Sequence, residues 1–253
     1  MTLTERLLQV AEREERAVLF TVVDGERIGA RLLVLEDGER YGEGPEKLSE
    51  RVGELLRGGR NRLLEVGEER VFCEVFGPPP RLLVFGAVDT AEALCRAAKL
   101  LGWQAIVGDA RGKFATKERI PSADELIVGW PEDVLAQVQP DHATAVVVLT
   151  HEDRWDVPAL KGALATEAFY VGALGSRRNQ ERRRERLLAE GVSEEDIARI
   201  AGPSGLDIGA DTPAETGLSI LAEILATRAG RSGGFLRASK GRIHVEPEES
   251  AAR

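Results

Sequence analysis

The sequence is poor in the residues from which metal sites and disulfide frameworks are built. Only two cysteines occur, Cys73 and Cys95, and they are not spaced as a CxxC pair. Two such residues cannot form a disulfide framework, so they predict buried, unreactive thiols in a reducing cytoplasm. The three histidines, His142, His151 and His244, are scattered and lack the spacing of metal ligands. A metal held by protein ligands alone is therefore not expected.

Long apolar runs and an excess of positive charge are also missing. No stretch approaches the ~20 apolar residues that a membrane span needs, and the charged N-terminus has no apolar signal core. The 34 Lys and Arg residues are outnumbered by 43 Asp and Glu residues, which leaves a formal net charge of −9. Since an acidic chain is not drawn to phosphate backbones or anionic lipids, neither nucleic acid nor a membrane is expected as a partner. We expect a globular protein of the cytoplasm.

A glycine and three prolines at residues 77–80 separate two regions with different hydrophobic patterns. Proline removes backbone donors and disfavours helix in the residue before it, so this stretch predicts a domain boundary. The first region predicts short helices and strands, which together indicate a small α+β domain over residues 1–77. The helices are expected at residues 2–16 and 45–57, and the strands at residues 17–23, 31–35 and 70–76.

The second region alternates short apolar runs with helical patterns, which is typical of a parallel sheet covered on both faces. It predicts an α/β fold, a Rossmann-like doubly wound parallel sheet, over residues 78–232, followed by a tail over residues 233–253 with a weak strand signal at 242–245. The strands are expected at residues 81–85, 104–107, 125–128, 143–149 and 168–171. The helices are expected at residues 90–101, from Pro131 onward, and at 157–165, 178–190, 194–200 and 213–228.

In such a sheet the ligand lies beyond the carboxyl ends of the strands, so the residues that follow each strand are the site candidates. The first turn, from Gly86 to Asp89, lacks the middle glycine of a dinucleotide fingerprint, and Val88 stands where that glycine would admit a pyrophosphate. Asp89 is interpreted as a helix cap, and its charge would repel an anion there. Asp109 is suitably placed to accept a ribose hydroxyl.

Two further strand ends carry polar residues. His151 directly follows the most apolar strand, and two roles stay open for it: ligand binding, or fixing a loop by pairing with Glu152 or Asp153. Gly175, Ser176 and the two arginines after them are predicted to form an anion-binding turn at a helix N-terminus. Four later arginines alternate with glutamates and predict a solvated helix face; they are Arg182, Arg183, Arg184 and Arg186.

The last candidate segment is a glycine-rich loop over residues 202–212. Thr212, Pro213 and Glu215 have the spacing of a capping box that opens a helix. Capping does not account for Asp207 between apolar neighbours, so a ligand-facing loop and a packed connector both stay open.

Four segments of the second region resemble the XdhC/CoxI family, the accessory factors of xanthine dehydrogenase and related molybdenum hydroxylases. They are RLLVFGA, VVVLTHE, YVGALGSRR and GLDIGADTPAE, of which the last two are specific in combination. The resemblance implies a chaperone, rather than an enzyme, that binds the molybdenum cofactor (molybdopterin) and delivers it to a xanthine-dehydrogenase-like molybdenum hydroxylase. It also implies a homodimer.

The residues that fall on the family's motif positions are His151, Gly175, Ser176, Arg177, Asp207 and Thr212; Gly86 and Asp109 complete the candidate cofactor-binding set. The sequence departs from the family in lacking Gly-Ala-Gly-His at the first turn and, near residues 42–47, the cysteine of a Gly-Gly-Cys-x-Glu motif. These departures indicate a divergent member. Two alternatives stay open: an NAD(P)-dependent oxidoreductase on the Rossmann-like domain, and a regulatory paralogue with a degenerate site.

Overall fold

A computed structural model of the chain describes residues 1–239 and 248–249, which fall into two compact units. One unit comprises residues 1–78 together with the described residues from 234 onward, and the other comprises residues 79–233. The weak strand signal at residues 242–245 lies outside the described residues.

The first unit is built on a sheet whose strands are mostly antiparallel. The helix α1 (Leu3–Arg13) begins at a capping box of Thr2 and Glu5. The strands are β1 (Ala17–Asp24), β2 (Arg31–Leu35), β3 (Arg40–Glu43), β4 (Arg62–Val66) and β5 (Glu69–Phe76), in the order β4-β5-β1-β2-β3, and a two-residue strand, Glu248–Glu249, pairs parallel with β4.

Three elements of the first unit differ from the sequence-based prediction. The helix predicted over residues 45–57 is divided into a 3-10 helix, Glu46–Arg51, and the helix α2, Val52–Gly58. The strands β3 and β4 were not predicted. β3 has mostly exposed side chains and β4 has one fully buried residue, so neither shows the alternation by which a strand is recognised.

The second unit is a doubly wound parallel sheet, which confirms the predicted fold class. Its strands are β6 (Arg81–Phe85), β7 (Gln104–Asp109), β8 (Glu125–Val128), β9 (Thr144–Val148), β10 (Tyr170–Ala173) and β11 (Ile200–Ala201). Its helices are α3 (Asp89–Leu100), α4 (Pro131–Val138), α5 (Asp153–Leu164), α6 (Arg177–Ala189), α7 (Glu194–Ala198) and α8 (Pro213–Arg228).

The strand order β11-β10-β9-β6-β7-β8 puts the first strand of this unit in the middle of the sheet. The chain adds β7 and β8 on one side of β6 and then returns to add the remaining strands on the other side. Such a reversal between β6 and β9 opens a crevice at their carboxyl ends, where ligands of doubly wound sheets bind. Segment 110–124, which joins β7 to β8, contains turns rather than a helix.

Both faces of this sheet are covered, which explains its continuous apolar strands. Leu82 and Val84 of β6 pack with residues of α3 and α8, whereas Leu83 and Phe85 pack with residues of α4 and α5. Since successive side chains of a strand point to opposite faces, every position of β6 after Arg81 must be apolar to cover both layers.

Candidate functional site

The backbone N–H groups of the turn between β6 and α3 donate hydrogen bonds within the protein. Gly86 has φ of +109°, and a Cβ there would lie 2.8 Å from the Thr150 Cγ2 atom, so only glycine fits. Its N–H donates to the Gly108 carbonyl at 2.9 Å, and the Val88 N–H donates to the Gly86 carbonyl at 3.0 Å. The N–H between them, of Ala87, donates to the Asp109 carboxylate at 2.9 Å. This turn therefore has no amide from Gly86 to Val88 to offer a pyrophosphate.

Asp109, at the end of β7, is buried and fully engaged. Besides the Ala87 amide, its carboxylate accepts hydrogen bonds from the Arg111 N–H at 2.8 Å and from the Arg111 Nε and Nη2 at 2.9 Å each. Burial by itself would raise the pKa of Asp109, but the hydrogen bonds from Arg111 and the two amides outweigh burial and lower that pKa. The carboxylate expected to accept a ribose hydroxyl is thus charged and held by Arg111.

The guanidinium of Arg111 fills the space beside Asp109 and contacts two aromatic rings. Its guanidinium carbon lies 4.5 Å from the ring centroid of Phe114 and 4.6 Å from that of Trp155, within the range of cation–π attraction. Glu152 lies 3.8 Å from Arg111 Nη1. A dinucleotide would have to displace this arginine to reach Asp109.

The helix α3 does not begin with the cap that the sequence predicted. The N-cap is Val88, not Asp89, and no side chain caps the helix. Asp89 is the first helical residue, is exposed, and lies 3.7 Å from Arg119. Val88 is only partly exposed because its side chain packs against the core beneath α3 and α8. The interpretation of Asp89 as a helix cap was wrong, although its negative charge does lie at this helix N-terminus.

After β9 comes the buried Thr150, and the next residue, His151, is exposed. The Thr150 side chain is buried and donates its hydroxyl to Asp156 of α5. His151 is exposed, and its side chain forms no hydrogen bond or ion pair within the described residues. The two acids that were candidates to fix it pair with arginines instead, Glu152 with Arg154 and Asp153 with Arg186.

The turn between β10 and α6 is open, unlike the turn after β6. Gly175 has φ of +135°, and Ser176 caps α6 by accepting a hydrogen bond from the Asn179 N–H at 3.3 Å. The first turn of α6 contains no acidic residue. Arg177 and Arg178 are exposed and have no ion-pair partner in the described part of the chain. Such guanidiniums at an uncompensated helix N-terminus are suited to bind an anion.

Arg183 is a site residue that sequence reasoning missed. The prediction of a solvated face is confirmed for Arg182, Arg184 and Arg186, whose side chains are about half exposed, but is wrong for Arg183, whose side chain is 2 % exposed. It forms a salt bridge with Asp156 and lies on the inner face of α6 together with Leu187. The available signal was its spacing of four residues from that leucine, which places both on one helix face.

The loop before α8 is tied to the end of β10 and to α8. The Ser204 N–H donates to the Ala173 carbonyl at 3.0 Å, and the Gly205 N–H donates to Glu223 at 2.8 Å. Asp207 and Thr212 are exposed, and Thr212 forms the predicted capping box with Glu215.

Hydrogen bonds and close contacts thus join some predicted site residues and not others. The segments of Gly86, Asp109 and Thr150 meet at the crevice, and Arg183 links Thr150 to the turn of Gly175. Asp207 and Thr212 form no hydrogen bond or ion pair with these segments within residues 1–239.

Both thiols are buried, as predicted. Cys73 lies on β5 and Cys95 on α3, and both are free. Burial raises the pKa of each to about 12, so neither is a nucleophile at neutral pH. Within the described residues, no group of three or more His, Cys, Asp or Glu side chains is arranged to hold a metal ion, and no helix is long and apolar enough to cross a membrane.

Comparison with known proteins relates the sequence to a family. Residues 82–224 match the model of the XdhC Rossmann domain. One relative is the uncharacterized protein YqeB of Escherichia coli, which is 32% identical over 83% of this chain. Another is a probable subunit of xanthine dehydrogenase from Bacillus subtilis, which is 34% identical over 62% of this chain. A third is the molybdenum cofactor insertion chaperone PaoD of Escherichia coli, which is 29% identical over 60% of this chain.

The matched regions are partial on the relatives' side. They span 42%, 46% and 42% of the lengths of these three proteins, so the chain corresponds to less than half of each. A crystal structure described as a xanthine dehydrogenase from Bacillus halodurans has the same fold, with a TM-score of 0.56 and 20% identity, covering 94% of this chain and 98% of that one. Since the family model matches more than half of the chain, the resemblance seen in its motifs is confirmed: the chain belongs to the XdhC family.

Proposed function

We propose that this chain binds the molybdenum cofactor and assists its insertion into a xanthine-dehydrogenase-like molybdenum hydroxylase. Two relatives support this class of function by their names, one as a molybdenum cofactor insertion chaperone and the other as a component of a xanthine dehydrogenase. The observation on which the proposal depends is the open turn after β10, where Arg177 and Arg178 have no acidic neighbour in the first turn of α6.

The residues at this turn suit the chemistry of molybdopterin, which has one phosphate and a polar pterin ring. The Arg177 guanidinium and the helix N-terminus behind Ser176 would bind the phosphate, and the exposed His151 would hydrogen-bond a polar group of the pterin. Asp207 and Thr212, in the loop tied to β10, are further candidates for the pterin. When bound, the cofactor supplies a molybdenum centre for the client enzyme, while these side chains bind and orient it.

The alternative of an NAD(P)-dependent oxidoreductase has less support. A dinucleotide needs donors at the first turn and a free carboxylate at the end of the second strand. Here the amides from Gly86 to Val88 are already bonded, and Asp109 is held by Arg111. The proposal accordingly describes a cofactor chaperone rather than an oxidoreductase.

Protein purified anaerobically at low salt provides the test. Mass spectrometry of the released small molecules should find molybdopterin; a nicotinamide nucleotide would favour the oxidoreductase, and an empty protein that still binds a molybdenum hydroxylase would favour a regulatory paralogue. The proposal also includes a homodimer and a cytoplasmic location. Two free, buried thiols are compatible with the reducing cytoplasm.

A variant pair sharpens this test. Arg177→Ala should weaken molybdopterin binding by about 10- to 150-fold, the scale of one lost hydrogen bond to a charged group, ~1.5–3 kcal/mol. Arg184→Ala is the matched control, because that arginine lies on the same helix but pairs with Glu181 and Glu194. Equal affinities of the two variants in anaerobic titration calorimetry would exclude the anion site at α6.

A further inference from the structure

The buried Arg183 connects three separate segments at the edge of the sheet. Its Nε and Nη2 bind the Asp156 carboxylate at 2.9 Å and 2.5 Å. Its Nη2 also donates to the Thr150 carbonyl at 3.1 Å, at the end of β9, and its Nη1 donates to the Leu174 carbonyl at 2.7 Å, at the end of β10. One side chain of α6 therefore holds the ends of two neighbouring strands and the start of α5.

The turn of Gly175 is shaped around this guanidinium. A Cβ at position 175 would lie 3.4 Å from Arg183 Nη1 and 3.3 Å from Asn179 Nδ2, which is tighter than an ordinary contact. On the other side, Thr150 approaches Gly86 so closely that a Cβ at Gly86 would lie 2.8 Å from it. Thr150 thus accepts a hydrogen bond from Arg183 with its carbonyl and packs closely against the turn after β6.

Stability alone is a poor reason for this arrangement. A buried ion pair must overcome the cost of desolvating both charges, and apolar residues of similar volume often replace such a pair without loss of stability. Burial raises the pKa of Asp156, and the Thr150 hydroxyl and the charge of Arg183 oppose that rise. What an apolar pair cannot do is bond two backbone carbonyls on different strands at once, for which the planar fork of arginine is suited.

We propose that Arg183 is a positioning residue that fixes the turn of Gly175 and Ser176 against the end of β9, and so sets the affinity of the anion site at the start of α6. His151 and Gly175 follow directly on the two carbonyls that it binds. Without the guanidinium, His151 could still hydrogen-bond and the N-terminus of α6 could still attract an anion, but the distance between them would no longer be fixed. This inference rests on the proposed function for its ligand, but the positioning itself is a property of the chain.

The main test variant removes the buried charges together. Arg183→Met with Asp156→Leu keeps the volume and leaves no unpaired buried charge. It removes the partners of the Thr150 hydroxyl and of the Thr150 and Leu174 carbonyls, so the melting temperature should fall, and binding is compared well below it. Arg183→Lys is the second variant, because it keeps the positive charge beside Asp156 but a single ammonium group cannot reproduce the fork. Both should bind molybdopterin, released from a heat-denatured molybdoenzyme under anaerobic conditions, at least 10-fold more weakly than the wild type.

Amide hydrogen exchange provides a readout that needs no ligand. In both variants, exchange in peptides covering residues 149–153 and 173–178 should rise about 10-fold or more, while exchange in α3 and α8 stays unchanged. The control is Leu135→Ala in α4, a core truncation that lowers stability without touching either turn. It should leave the affinity and the exchange of both segments as they are in the wild type.

The outcomes separate this inference from the proposed function. If the wild type binds molybdopterin and the Arg183 variants bind it equally well, the positioning role is overturned. If the wild type does not bind it, the proposed function fails, and the exchange data decide alone: faster exchange in both segments supports positioning, and unchanged exchange overturns it. If Leu135→Ala weakens binding as much as Arg183→Lys at equal loss of stability, general destabilisation explains the effect and the inference is overturned.

Discussion

Replacing Asp109 by asparagine should destabilise the protein through two defined hydrogen bonds. The asparagine carbonyl can still accept from the backbone N–H and Nε of Arg111, but its NH₂ group would face the Ala87 N–H and the Arg111 Nη2, which are donors. The Ala87 amide loses a buried acceptor, at a cost of about 1–3 kcal/mol. The lost contact with Arg111, which is 28 % exposed, adds at most about 1 kcal/mol, so the expected total is about 1–4 kcal/mol.

The pH dependence of this effect has a definite sign. The pKa of Asp109 is lowered in the folded protein from its ordinary value of 3.8, so its contribution to stability is fully present above that value and is lost as the pH falls through the lower folded pKa. Urea unfolding should show the full difference between wild type and Asp109→Asn at pH 7. As the pH falls below 3.8 the unfolded chain becomes protonated at Asp109 first, so the two stabilities should begin to converge, and they should meet only below the lowered pKa of the folded protein.

A neighbouring acid serves as the control for this experiment. Glu152 lies 3.8 Å from Arg111 but is half exposed, so Glu152→Gln should change the unfolding free energy by less than about 1 kcal/mol. If Asp109→Asn is as stable as the wild type at pH 7, the carboxylate is not held as described. The argument that Asp109 is unavailable to a ribose would then fail with it.

Three further predictions concern single residues. Iodoacetamide at pH 8 should leave Cys73 and Cys95 unmodified in the folded protein, since a pKa of about 12 leaves a thiolate fraction of ~10⁻⁴, and both should react in urea; labelling before unfolding would contradict their burial. Gly86→Ala should cost about 1–3 kcal/mol in urea unfolding because of its positive φ and the approach of Thr150, and an unchanged midpoint would refute that strain. Thr212→Ala should cost about 1 kcal/mol through loss of the cap at α8, and no loss would show that the hydroxyl does not cap.

The core of the fold could be predicted from the sequence because most of its parallel strands have a clear local pattern. Five of the strands of the second unit are apolar runs, and the helix α8, Pro213–Arg228, was predicted with its bounds because proline and threonine mark its start. The strand β11, Ile200–Ala201, was not predicted, and its first residue was instead predicted as the last residue of a helix. It has only two residues, and its pairing with β10 defines it, which no local pattern encodes.

The topology allows a candidate site to be named from the sequence, but not the hydrogen bonds within it. The ends of the strands follow from the topology, so His151 and the turn at Ser176 could be named in advance. The spacing of Arg183 from Leu187 indicated the inner helix face, but the ion pair of Arg183 could not be named, because its partner, Asp156, lies 27 residues away on another helix. Likewise, the sequence places Asp109 where a ribose acceptor belongs, but only the structure shows that Arg111 occupies it.

The two turns at the crevice differ in how well each could accept an anionic group. A dinucleotide bound in the usual way places its pyrophosphate on the turn after the first strand, and that turn has bonded amides and acidic residues, Asp89 and Glu92, in its helix. The start of α6 has the opposite character, with two exposed arginines and no acid in its first turn. Both turns are therefore compatible with a ligand whose anionic group binds at the start of α6 and which places no pyrophosphate at the start of α3. Molybdopterin, with its single phosphate, meets that condition, whereas a nicotinamide dinucleotide would leave its pyrophosphate facing Asp89.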